Sequence, residues 1–261
     1  MSQLNITIIG GGNLGSSLAI GLKHNSIANQ LIVTKRTPKI NSTLQEHNIL
    51  TTTNNQDAVK KSNVVILAVK PYKIKEVLEE IRECVQPNTL IVSVATGITI
   101  QEIQEVVNKE DVKVFRAMPN TAAEVNESIT CIATNSSSEA NTETIIKIFD
   151  CIGKSIVIEE ELMDAATVLG ACGIAYVMRF VRAMVQGGIE IGFDSKTANL
   201  ITTQTIKGAV ELLMKNGKHP EEEIDKVTTP KGCTIAGLNE MEHQGFSSSM
   251  IKGIKTSFER I

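Results

Sequence analysis

The chain predicts an α/β first half, residues 1–158, followed by an all-α second half, residues 159–261. Three observations carry this. A short β-branched run, Asn5-Ile6-Thr7-Ile8-Ile9, leads straight into Gly10-Gly11-Gly12-Asn13-Leu14-Gly15 and then into the apolar helical run 16–22. Beyond it, short apolar runs alternate with amphipathic segments up to residue 158, the signature of a parallel sheet covered on both faces. After that point the apolar period changes to that of helices alone, as at Ile206, Ala209, Val210 and Leu213, which follow i, i+3, i+4, i+7.

The first half reads as strands at 6–9, 31–34, 64–69, 90–94, 112–116 and 128–133, with a last one at 155–158. Helical patterns fall between them at 14–24, 56–61, 74–84, 100–107 and 139–151. Asn135-Ser136-Ser137-Ser138 reads as a loop. In the second half, 164–190 reads as one long helix. Pro220 followed by Glu221, Glu222 and Glu223 reads as a helix start, and 234–243 and 247–260 complete the all-α half.

The order strand, G-x-G-x-x-G, helix gives the glycines separate jobs. Gly10 allows the sharp turn, Gly12 a close backbone approach to a pyrophosphate, and Gly15 close packing of helix and strand. Free N–H groups at the helix start, from Asn13 and Leu14 onward, face the phosphates. This is the opening of a Rossmann domain, whose ligands lie beyond the carboxyl ends of the strands. Reading those ends in turn gives the candidate cofactor residues. The second strand ends in Thr34-Lys35-Arg36-Thr37-Pro38, with cations and hydroxyls where an NAD site usually places an acid. Arg36, assisted by Thr34 and by Lys35 or Thr37, suits a 2′-phosphate, so NADP(H) is preferred over NAD(H). The third ends in Ala68-Val69-Lys70-Pro71, the fourth in Ala95-Thr96-Gly97, the fifth in Met118-Pro119-Asn120-Thr121.

Composition narrows the alternatives. Aromatic residues make up 3% of the chain, with no Trp and two Tyr, so stacking platforms for single-stranded nucleic acid are nearly absent. A net charge of −3 supplies no field for nucleic acid or for an anionic membrane. The five cysteines are odd in number and scattered, and the four histidines share no ligand spacing with them. Reduced thiols, a cytoplasmic location and no metal site are expected. The N-terminus enters a strand directly, which reads as the absence of a signal peptide. The apolar stretch 165–178 is too short to span a membrane, and Arg179 and Arg182 end it.

With these pieces in place the chain resembles the Δ1-pyrroline-5-carboxylate reductases, which make proline. The shared pieces are the glycine turn, Asn55-Gln56-Asp57-Ala58-Val59, Ala68 to Pro71, Ala95 to Gly97, Met118-Pro119-Asn120-Thr121, and Val227-Thr228-Thr229-Pro230-Lys231-Gly232-Cys233-Thr234-Ile235-Ala236-Gly237-Leu238. They occur in the family's order over most of the chain. The resemblance implies a Rossmann domain followed by a helical domain that interlocks with a second copy, and dimers that build a decamer. It implies hydride transfer from NADPH to a cyclic imine acid, a small-molecule substrate. It places the catalytic hydrogen bond to substrate at Thr234, with Thr229, Gly232, Cys233 and Glu160 also on the substrate, and Asn55 and Lys226 on the cofactor. Read from the residues alone, Thr234 is also suited to cap the helix that follows it.

Several segments depart from the family pattern. A Ser-Gly-Ser-Gly-Pro-Ala-Tyr run is replaced by Gly170-Ala171-Cys172-Gly173-Ile174-Ala175-Tyr176. Lys231 stands where the family has glycine, which costs backbone freedom if that position needs a positive φ. Ala122 follows Met-Pro-Asn-Thr where proline is usual. The cofactor half is kept more closely than the substrate half. A paralogous reductase of another cyclic imine or keto acid, and a non-catalytic nucleotide-binding regulator, are the alternatives. A β-hydroxyacid dehydrogenase ranks below them, since Arg179 rather than a lysine follows the glycine-containing segment.

Overall fold

The computed structural model describes residues 4–37 and 42–261; Pro38 lies outside them. The chain divides into two compact units, Met1–Ala171 and Cys172–Arg260.

The first unit is built on an eight-stranded sheet with the order β3-β2-β1-β4-β5-β6-β7-β8. Its strands are β1 (Leu4–Ile9), β2 (Ala28–Thr34), β3 (Leu50–Thr52), β4 (Val64–Leu67), β5 (Leu90–Ser93), β6 (Lys113–Met118), β7 (Ser128–Thr134) and β8 (Gly153–Val157). One face is covered by α1 (Asn13–His24), α2 (Ser42–Glu46) and α6 (Glu139–Phe149), the other by α3 (Asn55–Val59), α4 (Ile74–Ile81) and α5 (Ile100–Val107). The strands alternate strictly between the two cores. Val64 and Ile66 point into the first, with Leu18, Leu22 and Phe149. Val65 and Leu67 point into the second, with Leu78, Ile81 and Ile103. All four residues of β4 are fully buried, hence the uninterrupted apolar run.

Two features differ from the sequence reading. The sheet is not wholly parallel: β7 runs antiparallel to β6, and β8 is parallel to β7. The link between β6 and β7 contains only the 3-10 segment Thr121–Val125. It is shorter than the dozen or so residues that a parallel crossover needs, so the chain must return in the opposite sense. The second feature is β3, a three-residue edge strand whose Leu50 is 59% exposed. It is too short and too exposed to give a periodic signal.

The region expected as one helix over 164–190 is helical in three pieces: α7 (Met163–Ala166), a π-helical turn Thr167–Cys172, and α8 (Gly173–Glu190). The sequence reading also placed its apolar part below membrane-spanning length. The helical run Glu160–Glu190 corrects this, being long enough and, over an 18-residue window of mean hydropathy 1.6, apolar enough to cross a membrane by length and composition.

The second unit contains α8, α9 (Ser195–Asn216), α10 (Pro220–Val227), α11 (Cys233–His243) and α12 (Phe246–Phe258). Asp194 caps α9 by accepting from the N–H groups of Lys196 and Thr197. Pro220 opens α10 as its first residue. Gly188 and Ala198 let α8 and α9 approach closely. Within this unit only Val185, Ala198 and Thr202 are buried.

Candidate active site

The glycine turn lies at the point where the strand order reverses, with β1 between β2 and β4. Such a switch point opens a crevice at the carboxyl ends of the strands. Gly10 sits at φ +112°, where a side chain is strained, and a Cβ there would run into the Ala68 carbonyl. Its N–H donates to the Thr34 carbonyl at 3.1 Å, while Ala68 N–H donates to Ile9 at 2.8 Å. The turn is thereby tied to both neighbouring strands. Gly15 presses on the Gly10 carbonyl, again leaving no room for a Cβ.

Gly12 is different. It has an ordinary φ of −76°, it is the N-cap of α1, and no atom lies within 4 Å of where its Cβ would be. Nothing in the protein requires glycine at this position. Its lack of a side chain leaves open the space in front of the N-terminus of α1, which has no side-chain cap. The first N–H groups of the helix, among them those of Asn13 and Leu14, are thus offered to a ligand. A cleft of about 510 Å³ opens there, lined by Gly11, Gly12, Asn13, Ser16 and Ser17 among others. An anionic pyrophosphate fits this cradle by space and by dipole.

The other candidate cofactor residues lie on the same rim. Thr34 is 1% exposed, and its carbonyl holds the turn. The Lys35 side chain passes across Gly11, and Arg36 is exposed. Ala68 and Val69 are half-buried, Lys70 is exposed, and Pro71 starts a 3-10 turn leading into α4. Ala95 is buried and donates to Ser93 Oγ; Thr96 is half-buried, and Gly97 takes φ +72° in open space. Asn55 opens α3 with its carboxamide on Glu80, at 2.9 Å.

Glu160 is tied into the first unit. Its Oε1 accepts from the Ile100 N–H at 2.8 Å and from Arg116 Nη1 at 3.0 Å. Arg116 is 4% exposed on β6, and Asp164 is its second acid, at 3.9 Å. The buried guanidinium is thus neutralised by the start of the helical run.

In the second unit, Thr229 and Gly232 close a turn with the Gly232 N–H on the Thr229 carbonyl at 2.9 Å. Pro230 precedes Lys231, which has φ +61°. This is the positive φ that its glycine counterpart would accept freely. A Cβ on Gly232 would come within 2.5 Å of Thr229 Oγ1 and 3.0 Å of the Thr229 carbonyl, so a side chain there would require Thr229 to shift. The capping expectation for Thr234 is corrected: Gly232 is the N-cap of α11, Cys233 is its first residue, and Thr234 lies one residue inside. The hydroxyl of Thr234 is therefore not spent on a cap, and the residue is exposed. Lys226, on α10, binds Glu223 at 2.6 Å. Asn120, which the sequence places only as part of the turn ending the fifth strand, is 8% exposed and bonds through all its polar side-chain atoms.

Pyrroline-5-carboxylate reductase 2 of Dictyostelium discoideum is 42% identical, over 98% of this chain and 91% of its own. The chain belongs to the pyrroline-5-carboxylate reductase family. These are oxidoreductases that act on a C=N bond with NAD(P)H. Residues 160–261 match the family model for pyrroline-5-carboxylate reductase dimerisation, and residues 5–97 match that for NADP oxidoreductase, coenzyme F420-dependent. Pyrroline-5-carboxylate reductase 1 of the same organism is 46% identical over 98% of this chain, which spans about half (49%) of that relative's length. The reductase of Plasmodium falciparum, solved with NADP bound, superimposes with a TM-score of 0.89 at 27% identity, covering 100% of this chain and 97% of its own.

Proposed function

We propose that the protein reduces Δ1-pyrroline-5-carboxylate to L-proline with NADPH. The observation that carries this reading is the open cradle at Gly12, on the switch point of a chain of this family, beside a β2 end that bears Lys35 and Arg36 in place of an acid. Bound NADPH supplies a hydride to the C=N carbon, and a proton reaches the ring nitrogen. The protein then needs no nucleophile and no metal. It has to orient the imine, hold the carboxylate, and donate to the nitrogen. We assign the hydrogen bond near the imine nitrogen to Thr234, and carboxylate binding to the 229–234 turn through Thr229, Gly232 and Cys233. Glu160 and Lys226 complete the assignment taken from the family resemblance.

Preference for NADPH follows from charge, since a 2′-phosphate adds an anion that a guanidinium can grip with two parallel bonds. The enzyme is read as a cytoplasmic homodimer, with the decamer as its higher assembly. The apolar helical run that meets the length of a membrane span is read as dimer contact. No nucleic-acid partner is proposed.

Lys231 favours one second reading. Its cation, held at a strained φ within the proposed substrate turn, fits a paralogous reductase of a different imine or keto acid. The test is NADPH oxidation with pyrroline-5-carboxylate beside a panel of cyclic imines and keto acids. Turnover of the first at ordinary enzyme rates supports the main reading, and preference for another member of the panel supports the second. NADPH binding with no turnover of anything overturns both.

A further inference from the structure

Asn120 ends the tight turn after β6, on the carboxyl rim that the cofactor reading uses. It is 8% exposed, and each of its polar groups has a partner. Its backbone N–H donates to Ser128 Oγ at 3.0 Å, tying the turn to the start of β7. Its Oδ1 accepts from the Ala122 N–H at 3.0 Å and caps the 3-10 segment Thr121–Val125. Its Nδ2 donates to the Gly170 carbonyl at 3.0 Å, fifty residues away in sequence.

Gly170 lies in the π-helical turn Thr167–Cys172. A π turn is a single widened turn inside a helix, held by longer-range bonds of poorer geometry, and such turns concentrate at functional sites. The same turn contains Thr167, 5% exposed and donating to the Met163 carbonyl at 2.8 Å, and Val168, 1% exposed. The Cβ position of Gly170 lies 3.5 Å from the Ile129 side chain on β7, so the turn adjoins the sheet, and Asn120 bonds it there. The two polar atoms of the carboxamide act separately, the oxygen organising the rim and the nitrogen anchoring the π turn to it.

We propose that Asn120 is a positioning residue for hydride transfer, fixing the Gly170 carbonyl and with it the π turn against the carboxyl end of β6. This rests on the reductase reading. Loosening the turn on this rim would slacken the orientation of the imine, to which the rate is sensitive. The 3-10 segment that Asn120 caps also lines the cleft at Gly12, through Ala123 and Glu124, so the test uses substitutions that keep an oxygen for that cap.

The informative substitution is Asn120→Asp. It keeps the oxygen cap and replaces the Nδ2 donor by an acceptor facing the Gly170 carbonyl. Asn120→Ser is the companion: its hydroxyl can still cap the 3-10 segment but cannot reach Gly170. Steady-state kinetics with pyrroline-5-carboxylate, NADPH titration, and hydrogen exchange of residues 167–172 are measured on the full-length protein. Both variants are expected to lower kcat at least tenfold, to keep the Kd for NADPH within twofold, and to speed exchange in the π turn. A lower melting temperature with unchanged kcat and KM would make Asn120 merely structural, and unchanged exchange in both variants would show that the bond does not hold the turn. If one variant fails to fold, the other decides. If the wild type does not turn over this substrate, the reductase reading fails on its own, while the exchange result still decides whether Asn120 holds the π turn.

Discussion

Lys231 is a non-glycine residue at φ +61° in the turn that the resemblance assigns to substrate. A left-handed conformation costs an L-residue about 1–2 kcal/mol. Glycine removes that cost but brings more freedom to the unfolded chain. Lys231→Gly is therefore expected to raise stability by about 1 kcal/mol in denaturant unfolding; a fall in stability would mean that the lysine side chain stabilises the turn. On the cofactor side, Arg36→Ala should raise the KM for NADPH at least tenfold, about 1.4 kcal/mol, and that for NADH less than twofold. An equal shift for both cofactors would remove the argument from the end of β2. Gly12→Val should abolish NADPH binding while leaving the circular dichroism spectrum intact, because a side chain there meets open space in the protein and only a ligand would collide with it. Undiminished affinity would make the turn a turn and nothing more.

Among the elements, α5 shows how a helix start is secured beside the rim. Thr99 caps it, its side chain accepting from the Glu102 N–H, and the Glu102 carboxylate reaches back to the Thr99 N–H at 2.7 Å and hydroxyl at 2.9 Å. Those bonds, the N–H first, hold the Glu102 carboxyl below its ordinary value of 4.5, with the nearby Arg116 charge assisting. A lowered pKa means that this stabilisation is present above the ordinary value and is lost as pH falls through the folded value. Thr99→Ala should cost about 1 kcal/mol at pH 7, and its gap to wild type should narrow below pH 4.5. A gap independent of pH would show that the two halves of the capping box are not coupled. The Glu160 carboxylate, bonded to Ile100 and Arg116, joins this helix start to β6.

At the scale of the whole molecule, the helical unit has too few buried residues to stand alone. Met178 is 64% exposed, Leu200 68%, Leu212 52% and Ile251 59%. Large apolar side chains exposed in this number point to an interface, in line with the dimerisation model matched by residues 160–261. The protein is expected to be a dimer or larger in light scattering at micromolar concentration, and Met178→Lys with Leu212→Lys is expected to disperse it or render it insoluble. A stable wild-type monomer would refute the shared assembly.

The amino-acid sequence by itself determined the features whose cause is local. The turn at Gly10 needs a positive φ, β4 is apolar throughout because both its faces are covered, and α5 was read at its observed bounds from its apolar period. It also singled out Lys231 as a residue to be tested for positive φ, because replacement of a glycine is visible without coordinates. What only the tertiary structure decided depends on groups far apart in the chain. The reversal at β7 follows from the length of its link and from which strand edge was free. The cap of α11 fell on Gly232 rather than Thr234 because Thr229 folds back against it. Glu160 meets Arg116 forty-four residues away, and Asn120 meets Gly170 across fifty. Periodicity reports the face a residue shares with its neighbours three or four positions along. It carries no information about which distant carbonyl or carboxylate a polar side chain will meet, and that pairing is settled when the sheet brings the strand ends to one rim.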